Sequence, residues 1–114
     1  MILKHADEVP AQTVGEGAKG VVIRWLLGPD DAMPHFHMRR LEIEPGGQTP
    51  HHAHDWEHEV YILEGMGVVR TDGGGAAFAA GDVVYMPAGE RHAFVNTGGT
   101  TVRMLCLVPV LKKS

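Results

Sequence analysis

Glycine and proline punctuate this chain so closely that no apolar run has room to become a long helix. Of its 114 residues, 15 are glycine and 7 are proline, and most of them separate short β-rich runs. Residues 21–27 stop at Gly28-Pro29-Asp30-Asp31, and residues 60–63 stop at Glu64-Gly65-Met66-Gly67, a glycine-type hairpin connection to residues 68–71. Turn clusters at 72–75, 81–82, 87–90 and 96–99 separate the later runs 76–80, 83–86, 92–95 and 101–108. Residues 35–44 read as another strand, which Pro45-Gly46-Gly47 is expected to end by turning the chain, and residues 2–4 have strand potential of their own. The sum is about ten short strands and an all-β fold, closed as an antiparallel sandwich or barrel that leaves no free edge.

The length predicts a single domain over residues 1–114. A formal net charge of −4 argues against a nucleic-acid or anionic-membrane partner. One cysteine, Cys106, excludes an intramolecular disulfide framework and fits a reducing compartment. No apolar run approaches the roughly 18 residues of a membrane span. Lys4, His5, Asp7 and Glu8 stand where a signal peptide would be apolar, so the expected localisation is cytoplasmic. Lys112 and Lys113 form a basic tail after the last strand.

Histidine is the compositional oddity, with 8 in the chain and four of them at positions 51, 52, 54 and 58. His52 and His54 are two apart, so on an extended chain their rings leave the same face. Neutral imidazole is the commonest side-chain metal ligand, and a pair needs further donors to close a site. His58 or Glu59, at the start of the next strand, and His92, far downstream, supply them.

Two motifs then carry a resemblance. Gly46, five residues, His52-Ala-His54, three residues, His58, six residues and Gly65 resemble the first motif of the cupins (residues 46–65). Gly81-Asp-Val-Val-Tyr-Met-Pro87-Ala-Gly89-Glu-Arg-His92-Ala-Phe-Val-Asn96 matches the second (residues 81–96). The likeness is to small single-domain cupins of the thermophile and bacterial type, which share the Trp-Glu-His-Glu run after the paired histidines. It implies a jelly-roll barrel, also called a double-stranded β-helix, that holds one divalent transition metal per chain and commonly forms a homodimer. The family's acidic ligand lies seven residues before the closing glycine, and here that slot is His58. Side chains at 58 and 59 point to opposite faces of a strand, so the two exclude each other. The spacing favours four histidines, His52, His54, His58 and His92; a one-residue slip would replace His58 by Glu59. Manganese or iron heads the expected metals, with copper, nickel and zinc also open.

Alternation in residues 37–43 turns His37, Arg39, Leu41 and Ile43 inward. An inward arginine needs an anion, either a substrate carboxylate or an acid at the barrel mouth. Phe94 shares the inward face of His92, and Cys106 alternates with Val102, Met104 and Val108. Arg39, Phe94 and Cys106 are therefore the pocket candidates. Trp56 is expected to cover the metal loop, and Trp25 to sit in the core or at a subunit contact. His51 should face away from the pair, and His5 should lie on the surface. His35 pairs with His37, but nothing nearby completes a second site.

Fold alone does not decide a reaction. The leading expectation is a metal-dependent oxygenase or related oxidoreductase acting on a small organic substrate inside the barrel. The alternatives are an isomerase or lyase acting on an oxo acid or sugar, and a binding or sensing module without turnover.

Overall fold

A computed structural model describes residues 1–111. Among them are nine strands: β1 (Gln12–Thr13), β2 (Lys19–Leu27), β3 (Phe36–Gln48), β4 (His58–Glu64), β5 (Met66–Thr71), β6 (Gly74–Ala79), β7 (Val83–Met86), β8 (His92–Asn96) and β9 (Val102–Pro109). All pairings are antiparallel, in the order β6-β5-β8-β3-β9-β4-β7, with β2 also on β3 and β1 on β2. The sheet curls on itself, and the architecture is the expected jelly-roll barrel.

The long strand β3 serves both layers. Its first part, Phe36 to Ile43, pairs with β9, while Gln48 pairs with Val95 of β8. The expected turn at Pro45-Gly46-Gly47 is instead a bend inside this strand. Between Val21↔Ile43 and Lys19↔Gln48, four residues of β3 face Gly20 alone, a bulge larger than the usual two-against-one kind. Gly46 has φ +79°, and a Cβ on Gly47 would lie 2.5 Å from the Lys19 carbonyl oxygen. Glycine thus lets the strand swerve between layers without ending.

A second expectation also fails. Residues 60–63 and 68–71 do not form a hairpin: β4 pairs with β7 and β9, whereas β5 pairs with β6 and β8. Gly65 (φ +88°) is the corner at which the chain changes layer, and a Cβ there would sit 2.9 Å from Val102 Cα. Residues 2–4 form no strand either. Lys4 reaches Asp31 at 3.1 Å, a 3-10 turn follows at Ala6–Glu8, and β1 supplies the arm's only pairing. The basic tail at Lys112 and Lys113 lies outside the described residues.

Alternation decides what faces in. On β4, His58, Val60 and Ile62 are buried while Glu59, Tyr61 and Leu63 are exposed. On β9, Val102, Met104, Cys106 and Val108 are buried in turn. With Ile43, Val69, Phe78, Met86 and Phe94 they form one core. Arg39 pairs with Cys106 across β3 and β9, and Cys106 with Val60 across β9 and β4. One cross-sheet row therefore brings an arginine and a thiol beside the strand that carries His58. No described helix is long and apolar enough to cross a membrane.

Candidate metal centre

The loop between β3 and β4 is stitched to β8, and that stitching positions the histidines. The Thr49 N–H donates to the Phe94 carbonyl (2.9 Å), and the Phe94 N–H donates to Thr49 Oγ1 (2.8 Å). His52 and His92 exchange backbone bonds at 3.1 and 3.2 Å, and the Gly89 N–H donates to the His54 carbonyl at 2.7 Å. His52 and His54 are thus clamped opposite His92, and β4 begins with His58 turned toward His54 and His92. Thr49, buried beside this clamp, carries no motif signal and was not anticipated from the sequence.

His54, His58 and His92 each bring a ring nitrogen within 4.8 Å of the others, a set that can hold a metal ion. His52 joins through His54, with 2.7 Å between their Nε2 atoms, but it lies outside that mutually close trio. Glu59 is on the other side of β4, exposed, in register with Tyr85 and Leu107. The strand register thus turns His58 inward and Glu59 outward.

Local contacts hold these rings in metal-ready states. His92 Nδ1 lies 2.9 Å from the Glu90 carbonyl, which accepts its N–H and leaves Nε2 with a free lone pair. The His54 ring stacks on Trp56, centroids 4.5 Å apart and planes 13° apart, so Trp56 covers the loop as expected. His58 Nε2 is buried without a hydrogen-bond partner, an orphan that a metal ion would satisfy. Burial, then the charge of Arg39, holds His58 down to about 3. Burial and the neighbouring His52 and His92 hold His54 down to about 4, and burial also lowers His52. These imidazoles are therefore neutral at ordinary pH, the form that binds metal. The donor set fits a divalent transition ion.

Arg39 lies at the inner edge of the cluster. Its Nη2 donates to Cys106 Sγ at 2.8 Å and lies 3.3 Å from His58 Nδ1, which in turn is 3.3 Å from the same sulfur. Its guanidinium carbon sits 5.2 Å above the Trp25 ring. Of the two partners anticipated for this arginine, the acid at the barrel mouth is absent: no carboxylate pairs with it among the described residues. Burial pushes the Cys106 thiol up, opposed by Arg39. The contact between Cys106 and His58 depends on the pairing of strands 48 residues apart, which no local pattern signals.

The remaining histidines stay outside the centre. His51 faces Asp72 (3.3 Å), His5 is exposed, His35 is exposed, and His37 packs edge-on against Trp25 with centroids 5.7 Å apart. Phe94 is buried, its ring 6.0 Å from that of His92, and walls the site. A cavity of about 200 Å³ opens onto Arg39, His52, His54, His58, His92 and Phe94.

Known proteins are similar to this chain in sequence and fold. A Thermotoga maritima oxalate-binding protein is 33% identical over 97% of this chain and 95% of its own. A structure described as a predicted oxalate decarboxylase, also from Thermotoga maritima, has 30% identity and a TM-score of 0.84, covering 96% of this chain and 100% of that one. The polyketide cyclase RemF from Streptomyces resistomycificus superposes with a TM-score of 0.90 at 35% identity, over 100% of this chain and 82% of that one. The profile of the cupin-domain family matches residues 39–108, the span that runs from Arg39 through every histidine of the centre to Val108 in β9. The barrel, the motif order and these matches together make the chain a member of the cupin family.

Proposed function

We propose that this cupin is a metal-dependent enzyme of the non-redox kind, acting on the oxygen-rich end of a small organic acid or keto compound. The observation that carries the reading is the buried, unpartnered His58 Nε2, turned toward His54 and His92 beside an arginine without a carboxylate. When bound, a divalent ion supplies a Lewis acid for a substrate oxygen. His52, His54, His58 and His92 would hold it. With no carboxylate among these donors, iron, nickel, copper or zinc suits the set better than manganese. Arg39 binds and orients the anionic end of the substrate, Phe94 excludes water from one wall, and Cys106 Sγ accepts a hydrogen bond from the outer N–H of His58. The similarity to a polyketide cyclase, an oxalate-binding protein and a predicted oxalate decarboxylase favours this reading over the oxygenase expected first, since none of those descriptions is of an oxygenase.

The test is turnover of metal-loaded protein on a panel of β-keto acids, short dicarboxylates and polyketone analogues, run with and without dioxygen. Conversion independent of dioxygen is expected. Conversion only in its presence would restore the oxygenase, and retention of a compound without conversion would favour a binding module.

A further inference from the structure

On the other side of Arg39 lies a second cavity of about 530 Å³, in the size range of small-molecule sites. Both tryptophans of the chain, Trp25 and Trp56, stand in its walls with Met33, His37 and Val108. Arg39 lines this cavity as well as the smaller one at the histidines. Its guanidinium is held by the Trp25 face at 5.2 Å and by Cys106 Sγ at 2.8 Å, and its Nε is buried without a partner. The arginines on the opposite face of these strands have answered charges: Arg24, Arg40 and Arg103 all reach Glu42, at 3.2, 3.2 and 3.7 Å. Arg39 alone among these four has none. A rigid, half-buried guanidinium set in an aromatic wall selects an anion, and the wall selects a flat apolar body to go with it.

We infer that the cavity between Trp25, Arg39 and Trp56 is a recognition subsite for a flat apolar monoanion, an aromatic or polyenol carboxylate or enolate, rather than for a two-carbon dicarboxylate. A two-carbon acid fits within the 200 Å³ space at the histidines, whose walls include neither tryptophan. The flat monoanion covers both tryptophans and neutralises Arg39. This inference deepens the reading of the site as a small-molecule centre and rests on it, but the binding step uses no metal ion.

Because the chain has 2 tryptophans and both line the cavity, their two indole N–H resonances report on it directly. Metal-free protein is titrated with 2-naphthoate, with its neutral isostere 2-naphthamide, and with oxalate. Saturable shifts of both indole signals are expected with 2-naphthoate, with about tenfold or more weaker binding of the amide and a similar loss for 2-naphthoate in Arg39→Met. Oxalate is expected to leave both signals in place. Unmoved indoles with 2-naphthoate, equal affinity for acid and amide, or equal shifts with oxalate would each overturn the inference. The amide comparison uses unaltered protein, so it decides the matter even where Arg39→Met fails to fold. Failure of the metal reading registers separately, as metal content that does not respond to His58→Ala.

Discussion

His58 Nδ1 and Cys106 Sγ lie 3.3 Å apart, across the contact between β4 and β9. Their relationship decides which nitrogen of His58 faces the other histidines with a lone pair. Arg39 Nη2 is also 3.3 Å from Nδ1 and can only donate. If Arg39 supplied the proton of that contact, His58 would carry its own on Nε2 and be unable to ligate. If Nδ1–H donates to the sulfur, Nε2 is free. Ligation through Nε2 requires the second arrangement, in which Cys106 is the outer acceptor that sets the tautomer. Cys106→Ala should weaken metal binding by about tenfold or more, while Cys106→Ser keeps most of it, as measured by chelator competition. Wild-type affinity in the alanine variant would mean that the sulfur plays no such part.

Position 58, not 59, should control metal retention. His58 is 5% exposed inside the barrel, whereas Glu59 is exposed on the outer face. His58→Ala should strip most of the metal from protein purified without a tag or chelator. Glu59→Ala should leave the metal content unchanged and alter stability by no more than about 0.5 kcal/mol. Elemental analysis of the two variants side by side checks both statements, and a large loss in Glu59→Ala would reverse the assignment.

The sequence made this relationship half legible. Counting seven residues back from Gly65 selects His58, and the period-2 alternation of β4 then forces Glu59 outward. His54 and His92 were likewise readable, because two motifs fix their spacing, whereas His52, expected beside them, lies outside the mutually close trio. The inward set His37, Arg39, Leu41 and Ile43 followed from alternation alone. What resisted reading was long-range. Gly65 looks the same in a hairpin and in a corner between layers, and only the partner strands distinguish them. Pro45-Gly46-Gly47 looks like a strand end, yet a bulge lets β3 continue through it. The Arg39–Cys106–His58 contact needs the registers of three strands at once, so no local spacing announces it.

Acidification should destabilise the metal-free protein well above the pH at which carboxylates titrate. In the unfolded chain these imidazoles take up a proton near 6.5, whereas in the fold burial holds His54 down to about 4 and His58 down to about 3. Between those limits the unfolded state binds more protons, so stability rises with pH. The contribution is fully present above about pH 6.5 and is lost as pH falls toward 3. The Tm of metal-free protein should drop by at least about 5 °C between pH 7 and pH 5, and the drop should shrink in His58→Ala. Thermal melts across that range, in chelator-treated buffer, check the sign. A flat profile would mean that the imidazoles titrate normally in the fold.

Asn96 should matter to the fold more than to the metal. It is 2% exposed, and its amide donates to the Ile43 carbonyl at 2.9 Å and to the Thr100 carbonyl at 2.8 Å. Its Oδ1 accepts from the Gly98 N–H at 2.9 Å. One side chain therefore ties the end of β8 to β3 at the start of its bend and closes the turn that leads into β9. Asn96→Ala removes all three bonds and leaves buried backbone groups unpaired, at a cost of about 2–4 kcal/mol by chemical denaturation. Asn96→Asp keeps the acceptor but loses both donors and buries a carboxylate against two carbonyls, so it should cost at least as much. His92 lies four residues back on the same strand and keeps its own bond to the Glu90 carbonyl. Metal affinity in folded Asn96→Ala should accordingly stay within about threefold of wild type while the denaturation midpoint falls. A variant as stable as wild type would show that water replaces the amide, and a loss of metal that matched the loss of stability would show that β8 and the centre move as one.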